Sequence, residues 1–397
     1  MVGAPHPILW NHGTMTMLSD LERLPHDPTG TLRAWDAADE LLLEHLALDA
    51  AGPGATVVVN DGWGALACGL APRCPVVITD SYVSRRAIAA NLGRSGVDPA
   101  EVAVIGSFDP PPTDISTLVV KIPRTLALLE DQLRRLRPSL APGAHVIAGA
   151  MTRHLHTSTI EAFERLIGPV RTFPARRKAR LLVADLDEAM ALPPDPWPAM
   201  SVLVPGGNAG EQGISVVQHA GVFSADGLDG GTRLLLEHLP TPRDGATVVD
   251  LGCGNGIVGT AVARLAPTCE VVFVDESDRA VESARSTLHA TLGVGCPTRF
   301  LVGDGLSQFE DGGEIADGSV DLVLNNPPFH RQHTTGDATA WQMFADAHRV
   351  LRTGGELWVV GNRHLNYHAK LRRRFGNCEV VASNPRYVLL RATRTSR

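Results

Sequence analysis

The chain of 397 residues has no apolar run approaching the roughly 20 residues that a helix needs to cross a bilayer. Runs such as Ala246 to Leu251 and Glu356 to Val360 are far shorter, which excludes a membrane-spanning helix. The opening residues, Met1-Val2-Gly3-Ala4-Pro5-His6, lack the basic start and apolar stretch of a secretory signal, so a cytoplasmic protein is expected. No Cys-x-x-Cys pair occurs among Cys68, Cys74, Cys253, Cys269, Cys296 and Cys378. That argues against a zinc cluster and a disulfide framework alike; reduced, mostly buried thiols and no metal are expected.

Net positive charge is missing too. With a formal charge of -7 the whole molecule has no electrostatic pull on a polyanion, so any nucleic-acid contact must use local patches. Two candidates stand out: Arg171, Arg176, Arg177, Lys178 and Arg180 in mid-chain, and Arg363, Lys370, Arg372, Arg373 and Arg374 near the end. Either is equally readable as a solvated face. Nothing in the sequence calls for an oligomer, and a monomer is the expectation.

What is present is an alternation of short β-branched runs with helical patterns, the signature of a mostly parallel sheet covered by helices on both faces. The fold class is α/β. The first half carries runs at Ala55 to Asn60, Val76 to Asp80, Val102 to Ile105, Thr117 to Val120 and His145 to Ala148. Leu126, Leu129, Leu133 and Leu136 stripe one helix, which Pro138 stops. The second half repeats the order with Ala246 to Leu251, Val271 to Asp275, Arg299 to Val302, Asp321 to Leu324 and Glu356 to Val360.

The repeat is visible in letters as well as pattern. Ala55-Thr56-Val57-Val58 matches Ala246-Thr247-Val248-Val249, and Val76-Val77-Ile78-Thr79-Asp80 matches Val271-Val272-Phe273-Val274-Asp275. Leu118 to Pro123 falls against Leu322 to Pro327, and Arg153-His154-Leu155 against Arg363-His364-Leu365. A duplicated domain is the reading. The proline-rich Leu192 to Pro198 separates the copies, giving domains at 1–191 and 201–397 with a linker at 192–200. A small hairpin, Ser201 to Val204 with Ile214 to Gln218, and a helix from Gly231 to Leu239 introduce the second copy.

That copy carries the chemistry. Val248 to Leu251 runs into Gly252-Cys253-Gly254-Asn255-Gly256 and then a helical pattern from Ile257, an arrangement in which ligand lies against backbone at a helix N-terminus. Asp250 at the strand tip would repel a pyrophosphate but attract the ammonium of a methionine moiety, which favours S-adenosylmethionine over a dinucleotide. Asp275, closing the next strand, is placed to accept both ribose hydroxyls, or to cap the following helix. Asp304 is placed for the adenine amino group, or serves a turn beside Gly303 and Gly305.

The strand Asp321 to Leu324 then emerges into Asn325-Asn326-Pro327-Pro328-Phe329. Consecutive prolines make a rigid rack of outward carbonyls. If the Asn326 oxygen and the Pro327 carbonyl accept the hydrogens of an exocyclic amine, its lone pair is freed from the ring and aimed at a methyl group. Phe329 offers a face on which a planar base stacks.

At these residues the second half resembles a class I methyltransferase, and the pairing of Asp250-x-Gly252-x-Gly254-x-Gly256 with Asn326-Pro327-Pro328-Phe329 resembles its amino-methylating subgroup. Phe223-Ser224 and Gly227-Leu228-Asp229 resemble the segment that closes over the cofactor there. Leu32 to Glu40, Lys121 to Glu130 and His156 to Thr159 extend the likeness to the bacterial large-subunit (23S) ribosomal RNA guanine-N2 methyltransferase family, whose small-subunit (16S) sister shares the two-domain plan. The resemblance implies two tandem Rossmann-like domains, the second with a seven-stranded sheet whose last strand is antiparallel, and ribosomal RNA as substrate. It implies catalysis by Asn326, Pro327, Pro328 and Phe329, and cofactor binding by Phe223, Asp250, Gly252, Gly254, Gly256, Asp275, Asp304 and Asn325. Ile122 stands where Asn326 should be, so the first copy reads as degenerate, an RNA- or domain-holding module. Lys121, Arg124, Arg177, Arg363 and Arg373 are the candidate RNA contacts. Methylation of a guanine in small-subunit (16S) RNA, of a protein glutamine or of a DNA adenine, and a non-enzymatic RNA-binding role, stay open at this point.

Overall fold

The computed structural model describes residues 18–26, 30–48, 52–224, 227–328 and 335–396, the side chains of 335–337 excepted. The chain divides into two compact units, Met1–Asp195 and Pro196–Arg397. In the first, β1 (Ala55–Val59), β2 (Val76–Ile78), β3 (Ala103–Ile105), β4 (Ile115–Lys121), β5 (Leu140–Met151), β6 (Val170–Thr172) and β7 (Ala179–Asp185) form one sheet in the order β3-β2-β1-β4-β5-β7-β6. The first five run parallel; β7 is antiparallel to β5, and β6 to β7. Its helices are α1 (Ala37–Leu46), α2 (Ala65–Gly69), α3 (Tyr82–Arg94), α4 (Leu126–Leu136) and α5 (Thr157–Leu166).

The central strands are buried on both faces. Val58 enters one core with Leu42, Leu66 and Ile88, while its neighbours Val57 and Val59 enter the other with Leu129, Leu133 and Phe163. A strand so placed reads as a continuous β-branched run rather than an alternating one, which is why Ala55 to Val59 is conspicuous in the sequence.

The second unit opens with the antiparallel hairpin β8 (Ala199–Leu203) and β9 (Ile214–Gln218), then α6 (Gly230–Glu237). Its main sheet repeats the first, with β10 (Thr247–Leu251), β11 (Glu270–Asp275), β12 (Thr298–Asp304), β14 (Val320–Asn325), β15 (Leu351–Asn362), β16 (Glu379–Ser383) and β17 (Tyr387–Thr393) in the order β12-β11-β10-β14-β15-β17-β16. Helices α7 (Ile257–Leu265), α8 (Asp278–Leu292), α9 (Thr335–Val350) and α10 (Tyr367–Phe375) cover it. One strand exceeds the seven that the resemblance implies. A two-residue return, β13 (Gln308–Phe309), pairs antiparallel with the end of β12. Gly303 permits it, since a Cβ there would stand 2.3 Å from the Gln308 carbonyl oxygen.

Both copies start the helix after the first central strand in one way. A glycine in the left-handed region is the N-cap, Gly64 at φ 94° and Gly256 at φ 75°, and a buried carboxylate from the preceding strand or loop accepts the N–H three residues on. Asp61 reaches Ala67 at 2.8 Å, and Asp250 reaches Gly259 at 2.8 Å. What differs is the ground between the strand ends. In the first unit it is filled by the protein's own charges: Lys121, the last residue of β4, bonds Asp36 at 2.8 Å and Asp39 at 2.7 Å.

That pairing bears on the phosphate contact expected of Lys121. Its side chain is only 15 % exposed and its ammonium bonds two carboxylates. Burial opposes its charge, yet Asp39 and Asp36 outweigh burial and hold it above the usual lysine range. Burial in turn pushes Asp39 up to about 6 against the pull of Lys121. Removing one partner from such a cluster costs about 3 kcal/mol or more. Lys121→Met is therefore expected to lower stability by that amount in a urea titration. Unchanged stability together with a raised KM for RNA would support the phosphate-contact reading.

Candidate active site

The C-terminal ends of β10, β11 and β14 converge, because β10 lies between the other two in parallel register. The loop leaving β10 contains three glycines in the left-handed region, at φ 72° (Gly252), 53° (Gly254) and 75° (Gly256). Two of them have distinct reasons. Gly256 packs against α8 so closely that a Cβ would lie 2.6 Å from the Cα of Ala284. At Gly254 a Cβ would meet nothing within 4 Å, so that backbone borders open space in which a ligand fits against the chain.

Carboxylates fix this loop from beneath. Asp275 at the end of β11 accepts the Gly254 N–H at 3.0 Å through one oxygen and the Ser277 N–H at 3.1 Å through the other. Asp250 is less exposed than its place near a strand tip suggests, at 4 %. Burial drives its carboxyl up to about 7 against the pull of the Gly259 N–H, and the charge of Asp275 adds to the rise. Asn255 ties the loop sideways to Gln218, whose amide donates to the carbonyls of Val222 and Phe223. The glycine loop and the Phe223 segment are thus held by one amide chain, with Phe223 itself 54 % exposed.

At the end of β14 two asparagines stand in succession. The Asn325 amide donates to the Leu251 carbonyl at 2.8 Å, stitching the end of β14 to the glycine loop, and rests against the Met343 sulfur at 3.6 Å. The Asn326 amide donates to the Thr232 hydroxyl at 2.9 Å. In both side chains the carbonyl oxygen is buried and has no hydrogen-bond partner among the described residues. A buried orphan acceptor costs about 1–3 kcal/mol, so two side by side mark a place built for donors supplied from outside. Pro327 is buried and Pro328 exposed, while Phe329, assigned to base stacking, lies outside the described residues.

Asp304 ends β12, opposite Gln308 in the β12–β13 return. The turn is shaped by a residue the sequence did not single out. Asp346 of α9 is buried, accepts from the Leu306 N–H at 3.0 Å and the Ser307 hydroxyl at 2.7 Å, and comes within 2.4 Å of where a Cβ on Gly305 would stand. Thr232 was missed as well, since neither it nor Asp346 belongs to a motif with its own spacing. The pairing of Asp229 and Thr232 as N-cap and third helical residue was the available signal.

Beside this site opens a cleft of about 580 Å³ lined by Phe223, Asp229, Asn362, Arg363, His364, Pro385, Arg386 and Tyr387. The candidate RNA contacts fare unequally. Arg363 lines the cleft; Arg373 is exposed on α10, over the Trp341 ring at 4.2 Å; Arg124 is exposed. Arg177 is paired with Glu40 at 2.7 Å and Glu44 at 3.0 Å, and Arg176 and Arg171 have carboxylate partners too. Much of the mid-chain patch is therefore neutralised locally.

Comparison with known proteins agrees with this division of the chain. Residues 12–188 match the family described as RLMG N-terminal domain, and residues 213–391 the family described as methyltransferase small domain. A protein of Streptomyces coelicolor named ribosomal RNA large subunit methyltransferase G is 53% identical over 375 residues, which is 94% of this chain and 97% of that one. The chain belongs to the ribosomal RNA large subunit methyltransferase G family. A more distant member, from Pseudomonas aeruginosa, is 44% identical over 382 residues, 94% of this chain and 96% of its own. The duplicated fold also matches the solved Thermus thermophilus 16S rRNA N2 G1207 methyltransferase in complex with AdoMet and guanosine. That match has a TM-score of 0.73 and 23% identity, covering 90% of this chain and 92% of that one.

The buried Asp250 makes a prediction about the family's glycine loop. With a folded-state pKa of about 7 against 3.8 for the ordinary carboxyl, the stability that its protonated form contributes is lost as pH rises from about 4 to 7. Asp250→Asn keeps an acceptor for Gly259 and removes the charge. The ligand-free variant is expected to melt higher than wild type at pH 8, with the difference shrinking toward pH 4. A lower melting temperature at pH 8 would contradict this account of Asp250.

Proposed function

We propose that the second unit methylates N2 of a guanine in large-subunit ribosomal RNA, using S-adenosylmethionine. The carrying observation is the buried carbonyl oxygen of Asn326 beside the glycine loop, which, like that of Asn325, has no partner among the described residues. The Asn326 acceptor suits an N–H of an amine, and the Asn325 acceptor a donor on the cofactor.

The residues present fit the cofactor. Open space borders Gly254, Asp275 places a carboxylate against the Gly254 N–H at the end of the neighbouring strand, and Asp250 has a carboxyl that a cationic amino group would draw into its ionised form. Asp304 and Asn325 complete the set, with Phe223 as the exposed aromatic on the closing segment. The cofactor supplies an activated methyl group. The protein's part is to prepare the amine. When the Asn326 oxygen accepts an N–H of the guanine amino group, electron density returns to nitrogen and its lone pair turns out of the ring's conjugation. Pro327 and Pro328 keep that acceptor stationary, so alignment is settled before transfer. No strong base is required, because the acidified nitrogen releases its proton to water afterwards.

Large-subunit RNA is favoured over small-subunit RNA because the relatives at 53% and 44% identity carry the large-subunit name, whereas the 16S enzyme is 23% identical. Both units share that kinship, which weighs against DNA or a protein glutamine. Arg363 and Arg386 in the cleft give the RNA backbone cationic contacts in a chain of net charge -7.

Incubation with methyl-labelled cofactor and, separately, protein-free large-subunit RNA, small-subunit RNA, DNA and a glutamine-bearing protein tests the proposal. Label is expected in N2-methylguanosine released from large-subunit RNA, with Arg363→Gln raising the KM for that RNA. Label confined to protein or DNA would refute the reading, and label confined to small-subunit RNA would refute the choice of target.

A further inference from the structure

We propose that Thr232 is a positioning residue, whose hydroxyl accepts from the Asn326 amide nitrogen and so holds the side chain in place with its oxygen left for the incoming amine. The inference rests on the proposed role of Asn326 and adds the means by which that role is enforced. A carboxamide is nearly symmetric in shape, and turned end for end it would present two N–H donors to an amine that itself donates. A bond that holds one end in place leaves the other for the amine. Asn325 is held through its own amide by a main-chain carbonyl, that of Leu251, which can only accept. Asn326 has a single described side-chain partner, the Thr232 hydroxyl at 2.9 Å, and that bond takes the nitrogen end.

Thr232 is suited to the task because it is itself immobile. It is the third residue of α6, 7 % exposed, and its N–H donates to the N-cap Asp229, which also takes the Gly231 N–H at 2.8 Å. The other Asp229 oxygen accepts from the Tyr387 hydroxyl at 3.3 Å. The Tyr387 ring lies against Gly230 and Gly231 so tightly that a Cβ on Gly230 would stand 2.8 Å from it. The first turn of α6 is therefore clamped between its own cap and β17, and the hydroxyl it carries is a fixed point from which the amide hangs. Without that point the amide is free to rotate between a productive and an inverted orientation.

The test uses the full chain with large-subunit RNA. Thr232→Val preserves shape but cannot accept; it is expected to lower kcat about tenfold or more, with KM for RNA and cofactor within about twofold and the melting temperature little changed. Thr232→Ser, which restores the acceptor, is expected to keep kcat within about threefold. Thr232→Ala replaces valine in the comparison if the valine variant unfolds. The proposal is overturned if the variant without the hydroxyl turns over as fast as wild type, or if serine is as slow as that variant. Should wild type prove to methylate a different amine, the same comparison on that substrate still decides the role of Thr232, so the two failures are distinguishable.

Discussion

The site depends on one stretch of parallel pairing. Leu251 and Asn325 are the last partners of β10 and β14, and the side chain of one returns to the main chain of the other at 2.8 Å. Because the strands are parallel and adjacent, both loops leave on the same side, and this bond sets the distance between a glycine-rich backbone and an asparagine carbonyl. Each further element secures that junction. Asp250 and Asp275 brace the glycine loop from below, Gln218 and Asn255 tie it to the Phe223 segment, and the first turn of α6 holds Asn326. At that junction the side-chain oxygens of Asn325 and Asn326 are buried with no partner among the described residues.

The duplication shows how little separates such a junction from an inert one. The first unit has the same strand order, the same left-handed glycine at the helix start and a carboxylate in the same supporting contact. Its central strand ends in Lys121 instead of asparagine, and the ammonium draws Asp36 and Asp39 of the α1 start into the ground between the strand ends. Asn60 is likewise spent on Gln132 and the Lys121 carbonyl. Polar groups that in the second unit await a ligand are in the first unit paired with each other. A buried polar cluster satisfied internally contributes specificity to the fold and leaves nothing to bind.

Much of this was legible in the sequence because its signals are local. Runs such as Val57 to Val59 and Val271 to Val274 announce strands buried on two faces, and the in-order matches between halves announced the repeated sheet before its strand order was known. The glycine loop and the asparagine-proline-proline loop carry chemistry in their spacing. What escaped was set by contacts between distant segments. The partner of Lys121 lies 85 residues away, that of Asn326 94, and that of Leu306 40, so no local pattern distinguishes a committed lysine from an available one, or a clamping threonine from a surface one. The mid-chain arginines show the same effect, since Glu40 and Glu44, on a helix more than a hundred residues earlier, take up much of their charge.

The account makes the Asn326 carbonyl the group that prepares the amine, distinct from the residues that hold the cofactor. Single-turnover methylation of large-subunit RNA by Asn326→Ala, with cofactor affinity measured on the same preparation, separates the two most directly. The account predicts a loss of about 10²–10³ in rate, the scale set by removal of one preorganised dipole at a developing charge, with the cofactor Kd within a few fold of wild type. Turnover near that of wild type, or a rate loss fully explained by lost cofactor binding, would contradict it.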